Sequence, residues 1–120
     1  MQLFIPLCRN MKTIVTYKRY FEDFLSKLQA DECKKIAMAV SLLKTEDKIP
    51  RHFINFLCDG IYELRVTCKK NEFRVFFIYD GDKIIVLFNA YKKKTSKTPI
   101  HEKELAKRLK KEYEATKGNK

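Results

Sequence analysis

The stretch Ile61–Tyr91, IYELRVTCKKNEFRVFFIYDGDKIIVLFNAY, holds three β-branched and aromatic runs separated by KKNE (69–72) and DGDK (80–83). Runs of this length between turn-forming residues predict three successive antiparallel strands, Ile61–Cys68, Phe73–Tyr79 and Ile84–Tyr91. Asp80-Gly81 has the composition of a two-residue type I′ turn, which needs positive φ at both central positions. That turn pairs Phe77 with Ile84, Val75 with Val86 and Phe73 with Phe88. A turn on Lys70-Asn71 pairs Cys68 with Phe73, Val66 with Val75 and Leu64 with Phe77. One face is then almost wholly apolar, with Tyr62, Leu64, Val66, Cys68, Phe73, Val75, Phe77, Tyr79, Ile84, Val86 and Phe88, and is the face that helices should cover. The other carries Phe76, Ile78, Ile85 and Leu87 at one end, and Glu63, Arg65, Thr67 and Arg74 at the other. Continued alternation adds Asn89, Tyr91 and Lys93 to the polar end. Arg65 falls opposite Phe76 and Arg74 opposite Thr67, so the arginines are diagonal neighbours, roughly 7–8 Å apart at the backbone.

Outward from this sheet, KTIVTY (12–17) predicts a short first strand. Phe21, Phe24, Leu25 and Leu28, then Ile36, Ala39, Val40 and Leu43, recur at helical spacing and predict two antiparallel helices over residues 19–28 and 30–44, with Asp31 and Glu32 at the favourable start of the second. Pro50 closes that unit, and RHFINFLCDG (51–60) predicts an ordered connection ending in an Asp-Gly turn. Thr98-Pro99 predicts a helix start, with Leu105, Ala106, Leu109 and Tyr113 as a thin stripe among lysines up to about Ala115. The expected fold class is α+β: two N-terminal helices on a small, mainly antiparallel sheet of three to four strands, with a basic C-terminal helix. Residues 12–116 form the single expected domain. Residues 1–11 are expected to be a frayed extension, with Met11 as an alternative start, and 117–120 a disordered tail. The apolar Leu3–Cys8 run is too short for a signal core or a bilayer span.

A chain of 120 residues suffices for one modest core. Its 26 Lys and Arg against 15 Asp and Glu leave +11, a field that draws nucleic acid first and an anionic membrane second. Residues 89–120 alone contribute eleven basic and four acidic side chains. Cys8, Cys33, Cys58 and Cys68 form no CxxC pair, and only His52 and His101 are possible imidazole partners. The expectation is reduced thiols in a cytoplasmic protein, with neither a zinc site nor a disulfide framework. Three glycines and the lack of a Gly-rich phosphate loop, GxSxG or HExxH argue against nucleotide-triphosphate and common hydrolase chemistry.

What remains is a convergence of cations at one sheet end. RNA cleavage by the adjacent 2′-hydroxyl requires a strand held in line, neutralised oxyanions and two proton movements. Arginine serves the second need through its planar fork. A lysine crowded by other cations has its ammonium form disfavoured and so suits proton transfer. The plainer readings stand beside this one. Lys92–Lys94 has the composition of a solvated face, and Arg65 alone equally suits an ion pair at the sheet rim. Arg74, set among apolar residues, needs a partner, and Glu63 and Glu72 are the local candidates. His52 and His101 read as surface or capping residues. Tyr62 and Tyr91 read as packing residues whose hydroxyls reach the edge, with Tyr91 also suited to stacking on a base.

DGIYELRV (59–66), EFRVFFIYDGDKIIVLFNAYKKKTSKTP (72–99) and ELAKRLKKEYE (104–114), in that succession, resemble the HigB-type toxins of the RelE/ParE superfamily over about residues 13–115. The resemblance implies a compact α+β ribonuclease fold that cuts messenger RNA in the ribosomal A site without metal or other cofactor. It also implies a helix-turn-helix, HigA-like antitoxin as partner, and no membrane. Carried over by position, it implies Arg65, Arg74 and Lys93 as catalytic residues, with Arg74 on the scissile phosphate, Arg65 assisting and Lys93 moving a proton or neutralising the phosphate. Tyr91, Asn89, Lys94 and Lys97 are implied as contacts to RNA or ribosome. Family members often have phenylalanine where Tyr91 stands and sometimes histidine where Asn89 or Ala90 stands, so no histidine role carries over. Two other functions share the scaffold: a ParE-like gyrase poison, and an inactive module that only binds nucleic acid or antitoxin.

Overall fold

A computed structural model describes residues 11–46, 48–94 and 96–118. Five strands make one sheet in the order β1-β5-β4-β3-β2: β1 (Thr13–Thr16), β2 (Ile54–Cys58), β3 (Ile61–Cys68), β4 (Asn71–Asp80) and β5 (Ile84–Lys92). Helices α1 (Tyr20–Leu25) and α2 (Ala30–Thr45) lie between β1 and β2 in the chain, and α3 (Ile100–Gly118) ends it. β1 runs parallel to β5, and every other pairing is antiparallel. The expected α+β class is therefore observed in a RelE-like arrangement, with five strands in place of three or four.

The additional strand is β2, drawn from the segment expected to be a connection. Its five residues, INFLC, lack alternation, and its pairing with β3 shifts between Phe56 and Cys58. Asp59 and Gly60 close this hairpin with φ of +50° and +79°, positive at both positions as a type I′ turn requires. α1 is shorter than the expected helix, because the chain tightens after Leu25 into bonds from Lys27 N–H to Phe24 O and from Leu28 N–H to Leu25 O. At the start of α2, Glu32 Oε1 accepts the Gln29 N–H at 3.0 Å and Oε2 accepts Asn71 Nδ2 at 2.9 Å. One side chain thus caps the helix and ties it to the first residue of β4. α3 extends beyond the expected end near Ala115 through Lys117 and Gly118, and the expected frayed residues 1–10 lie outside the described residues.

The sheet is covered on both faces. Leu64, Val66, Cys68, Phe73, Val75, Phe77, Ile85, Leu87 and Ala90 pack with Phe21, Ile36 and Leu43 of α1 and α2. Ile61, Phe76, Ile78, Val86, Phe88 and Tyr91 pack with Ala106 and Leu109 of α3. The expected faces of β3 and β4 hold, although their turn sits at Lys69-Lys70 and pairs Tyr62 with Phe77, Leu64 with Val75 and Val66 with Phe73. The β4–β5 register does not hold. Asp80 stays in the strand opposite Ile84, the loop is Gly81–Lys83, and Phe77 faces Leu87. Ile85 and Leu87 thus take the α1/α2 side, where Ile84, Val86 and Phe88 were expected. β5 is apolar on both faces, so its sequence has no alternation to fix the register. Docking of α3 supplies part of what does: the Asp80 carboxylate accepts the Tyr113 hydroxyl at 2.5 Å and pairs with Lys117.

Farther along, β5 carries a bulge. Val75 faces Ala90 while Phe77 faces Leu87, so Phe88 and Asn89 together oppose Phe76. A bulge inserts one residue and reverses the alternation beyond it. Beyond this one, Tyr91 lies opposite Arg74.

Gly60→Ala should lower the unfolding free energy by about 1–2 kcal/mol, the cost of left-handed backbone for an L side chain. The new methyl would meet only Lys110 Cε at 3.6 Å, so the loss is conformational. Urea denaturation would show a lower midpoint with an unchanged slope.

Candidate functional site

β3 and β4 set Arg65 directly opposite Arg74, a closer arrangement than the expected diagonal one. Both lie on the face that α3 covers at its other end, where Leu105, Ala106, Leu109 and Tyr113 pack on Phe76, Ile78, Val86 and Phe88. Like charges directly across a sheet repel, so this pair calls for an anion. Arg74 is 6% exposed. Its Nη1 donates to Phe73 O at 3.1 Å and its Nη2 to Glu72 Oε1 at 3.2 Å. The same Glu72 oxygen lies 3.9 Å from Lys93 Nζ. The Lys93 N–H donates to Glu72 O at 2.7 Å, which extends the β4–β5 ladder by one rung and fixes Lys93 beside Glu72. Arg65 is half-buried, and its buried Nε has no acceptor among the described residues. Two of the three cations carried over from the family resemblance, Arg74 and Lys93, thus share one carboxylate, and Arg65 lies across the strand from Arg74 with a buried donor unsatisfied.

The second local carboxylate serves another purpose. Glu63 is 3% exposed, and its Oε2 accepts both the Tyr91 hydroxyl at 3.1 Å and the Thr98 hydroxyl at 3.0 Å. The side chain of Thr98 therefore holds the approach to α3 against the sheet, while Pro99 O accepts the Lys103 N–H at the helix start. Tyr91 is buried, its ring stacked on Phe76 at 5.7 Å. Burial is the main cause that pushes its hydroxyl from 10.0 up to about 12, and the neighbouring Glu63 charge adds to it. Asn89 is also buried, and its Nδ2 donates to Glu102 O and Glu102 Oε1, each at 3.0 Å. Neither residue presents its polar group outward. Both are bonded within the protein, Tyr91 to β3 and Asn89 to α3.

Lys94 and Lys97 are exposed, and Lys94 joins Lys70, Glu72, Lys93 and Ser96 around an open groove of about 270 Å³. Lys70 is the residue the sequence reading missed: in KKNE it is simply a turn lysine, and only the position of the turn brings it to the site. His101 is exposed and lies 3.5 Å from Glu102. The His52 ring lies tilted against that of Phe53, whose carbonyl accepts the Arg65 N–H at 2.6 Å, so His52 sits one residue from the strand position beside Arg65. A larger groove of about 780 Å³ between the Asp59-Gly60 turn and α3 also contains cations. Those are mostly neutralised locally, by Lys107 with Asp59 and Glu104 and by Lys110 with Glu114.

Among the described residues no three His, Cys, Asp or Glu side chains converge as a metal site, and Cys33, Cys58 and Cys68 are free thiols. No helix among them is long and apolar enough to cross a membrane. Fold and site together define a RelE-like α+β domain that gathers cations at one sheet end. The profile of the family described as phage-derived protein Gp49-like (DUF891) matches residues 23–111, and the chain belongs to that family. The family is related to the HigB-like toxins of the RelE/ParE superfamily, and membership suggests the toxin of a toxin–antitoxin pair. No curated protein matches the chain.

Tyr91→Phe should cost about 1–3 kcal/mol at neutral pH, because it removes one of two hydroxyl donors to a buried carboxylate. The raised Tyr91 hydroxyl also predicts a pH dependence. The unfolded tyrosine ionises first, so its contribution is whole below pH 10 and is lost as pH rises toward 12. Chemical denaturation across that range should show a shallower decline for Tyr91→Phe than for the parent chain. Part of the decline should persist, because Tyr113 is likewise pushed up to about 12.

Proposed function

We propose that this protein is the toxin of a type II toxin–antitoxin module. It is a metal-independent endoribonuclease that cleaves messenger RNA in the ribosomal A site by 2′-hydroxyl attack. The observation that carries the reading is Arg74 and Lys93 sharing Glu72, with Arg65 directly opposite Arg74, in a chain of the Gp49-like family. In the reaction the 2′-oxygen forms a bond to the adjacent phosphorus while the bond to the 5′-oxygen breaks. One proton passes from the 2′-hydroxyl to solvent water, and another reaches the departing 5′-oxygen. Arg74 binds the scissile phosphate and stabilises the charge that builds on its non-bridging oxygens. Arg65, with its unsatisfied Nε, adds a second donor to the same oxygens. Lys93 neutralises the phosphate and supplies the proton for the departing oxygen. Lys94 and Lys97, both exposed, contact the RNA backbone or ribosomal RNA. The cognate partner is a helix-turn-helix antitoxin.

Arg74→Ala should reduce cleavage in a purified translation system by about 10²–10³-fold. Its folding should survive, because Glu72, the partner left behind, is half-exposed. Arg74→Lys should recover only part of the loss, since the ammonium lacks the planar fork. Undiminished cleavage by Arg74→Ala would overturn the site assignment. Gyrase-linked DNA breaks with intact transcripts would move the protein to the ParE-like class.

A further inference from the structure

We propose that Glu72 is an internal substitute for the substrate phosphate: its carboxylate holds the seat between Arg74 and Lys93 in the RNA-free protein and must leave before a phosphodiester enters. This rests on the reading of the site as one for RNA phosphate.

The geometry is that of an occupied anion seat. Glu72 Oε1 lies 3.2 Å from Arg74 Nη2 and 3.9 Å from Lys93 Nζ. A carboxylate and a phosphate offer a guanidinium the same acceptor geometry, so either one fills the position. Exposure is unequal across the ion pair, with the Arg74 side chain 7% exposed and that of Glu72 49%. The arginine is built into the sheet, and the glutamate lies over it from the solvent side.

Glu72 can vacate the seat without disturbing the fold. Its main chain is held in β4 and its carbonyl accepts the Lys93 N–H, so only side-chain torsions have to change. A half-exposed carboxylate regains water when it turns away, and the phosphate that replaces it restores an anion to the buried guanidinium. The approach is the groove lined by Lys70, Lys93, Lys94 and Ser96, with Glu72 as the one acidic side chain among the described residues that line it.

The incoming phosphate has an advantage that the carboxylate lacks. Arg65 Nε, buried on the strand position opposite Arg74, has no acceptor while Glu72 is in place. A phosphate has further oxygens to offer it, and a strand brings neighbouring phosphates to Lys70 and Lys94. Glu72 therefore acts as a threshold. An isolated phosphate competes poorly with it, whereas a polynucleotide that engages the surrounding lysines displaces it. The residue sets selectivity for extended RNA over mononucleotides.

The test is fluorescence anisotropy of the full chain with a 2′-O-methyl RNA oligonucleotide, which cannot be cut by 2′ attack. E72Q should bind about three- to fivefold tighter than the parent, the range expected from removing a weak competing ion pair. In an R74A background the same substitution should give no such gain, and Glu46→Gln, an equal charge change at an exposed position, should give a smaller one. Equal or weaker binding by E72Q overturns the proposal and leaves the toxin reading intact, as does a gain that persists without Arg74. Loss of messenger cleavage by E72Q would also overturn it, by making Glu72 a participant in proton transfer. If no variant binds the oligonucleotide, the RNA reading fails and the proposal with it.

Discussion

The site depends on one extra residue in β5. Without the bulge at Phe88-Asn89, the register that pairs Phe77 with Leu87 would continue to Val75 with Asn89 and Phe73 with Tyr91. Tyr91 would then point at α1 and α2, and an amide would enter the apolar layer around Val75. With the bulge, Tyr91 lies opposite Arg74, Lys93 reaches Glu72, and Asn89 turns toward α3. Bulges bend a strand and re-aim its side chains at little cost to the rest of the ladder. Here that adjustment joins the apolar half of the sheet to its cationic end.

Two buried polar contacts hold the junction. Glu63 accepts the Tyr91 and Thr98 hydroxyls, and Asn89 donates to Glu102 in the first turn of α3. Each joins β5 or β3 to the segment that leads into the helix. A buried carboxylate or amide that loses its partner is costly, so the two contacts fix how far α3 extends along the face. The helix packs on the apolar half of the face, and the groove of Lys70, Glu72, Lys93 and Lys94 lies at the arginine end. Glu72 completes the arrangement by pairing with both Arg74 and Lys93.

Much of this was legible in the sequence where one face differed from the other. Alternation in Tyr62–Cys68 and Phe73–Tyr79 predicted the correct faces for β3 and β4, and helical spacing around Ile36 and Leu43 predicted α2. β5 was not legible in the same way. IIVLF is buried on both sides, and Asp80-Gly81 imitates the two-residue turn that Asp59-Gly60 forms. The β4–β5 register was misjudged, but the unforeseen bulge restored the parity, so Tyr91 still reached the arginine-bearing face. β2 was missed because five residues without alternation carry no strand signal. The roles of Glu63 and Asn89 were beyond reach, because each depends on partners 13 to 35 positions away.

The chain thus joins a RelE-like scaffold and membership of the Gp49-like family to a cation cluster suited to phosphate chemistry. The most direct test of the proposed activity is the chemistry of the RNA ends formed when the purified protein acts on translating ribosomes. The account predicts cuts within A-site codons, leaving a 5′-hydroxyl on one fragment and a 2′,3′-cyclic phosphate or 3′-phosphate on the other. Intact messages, or fragments carrying 5′-phosphate and 3′-hydroxyl ends, would contradict it.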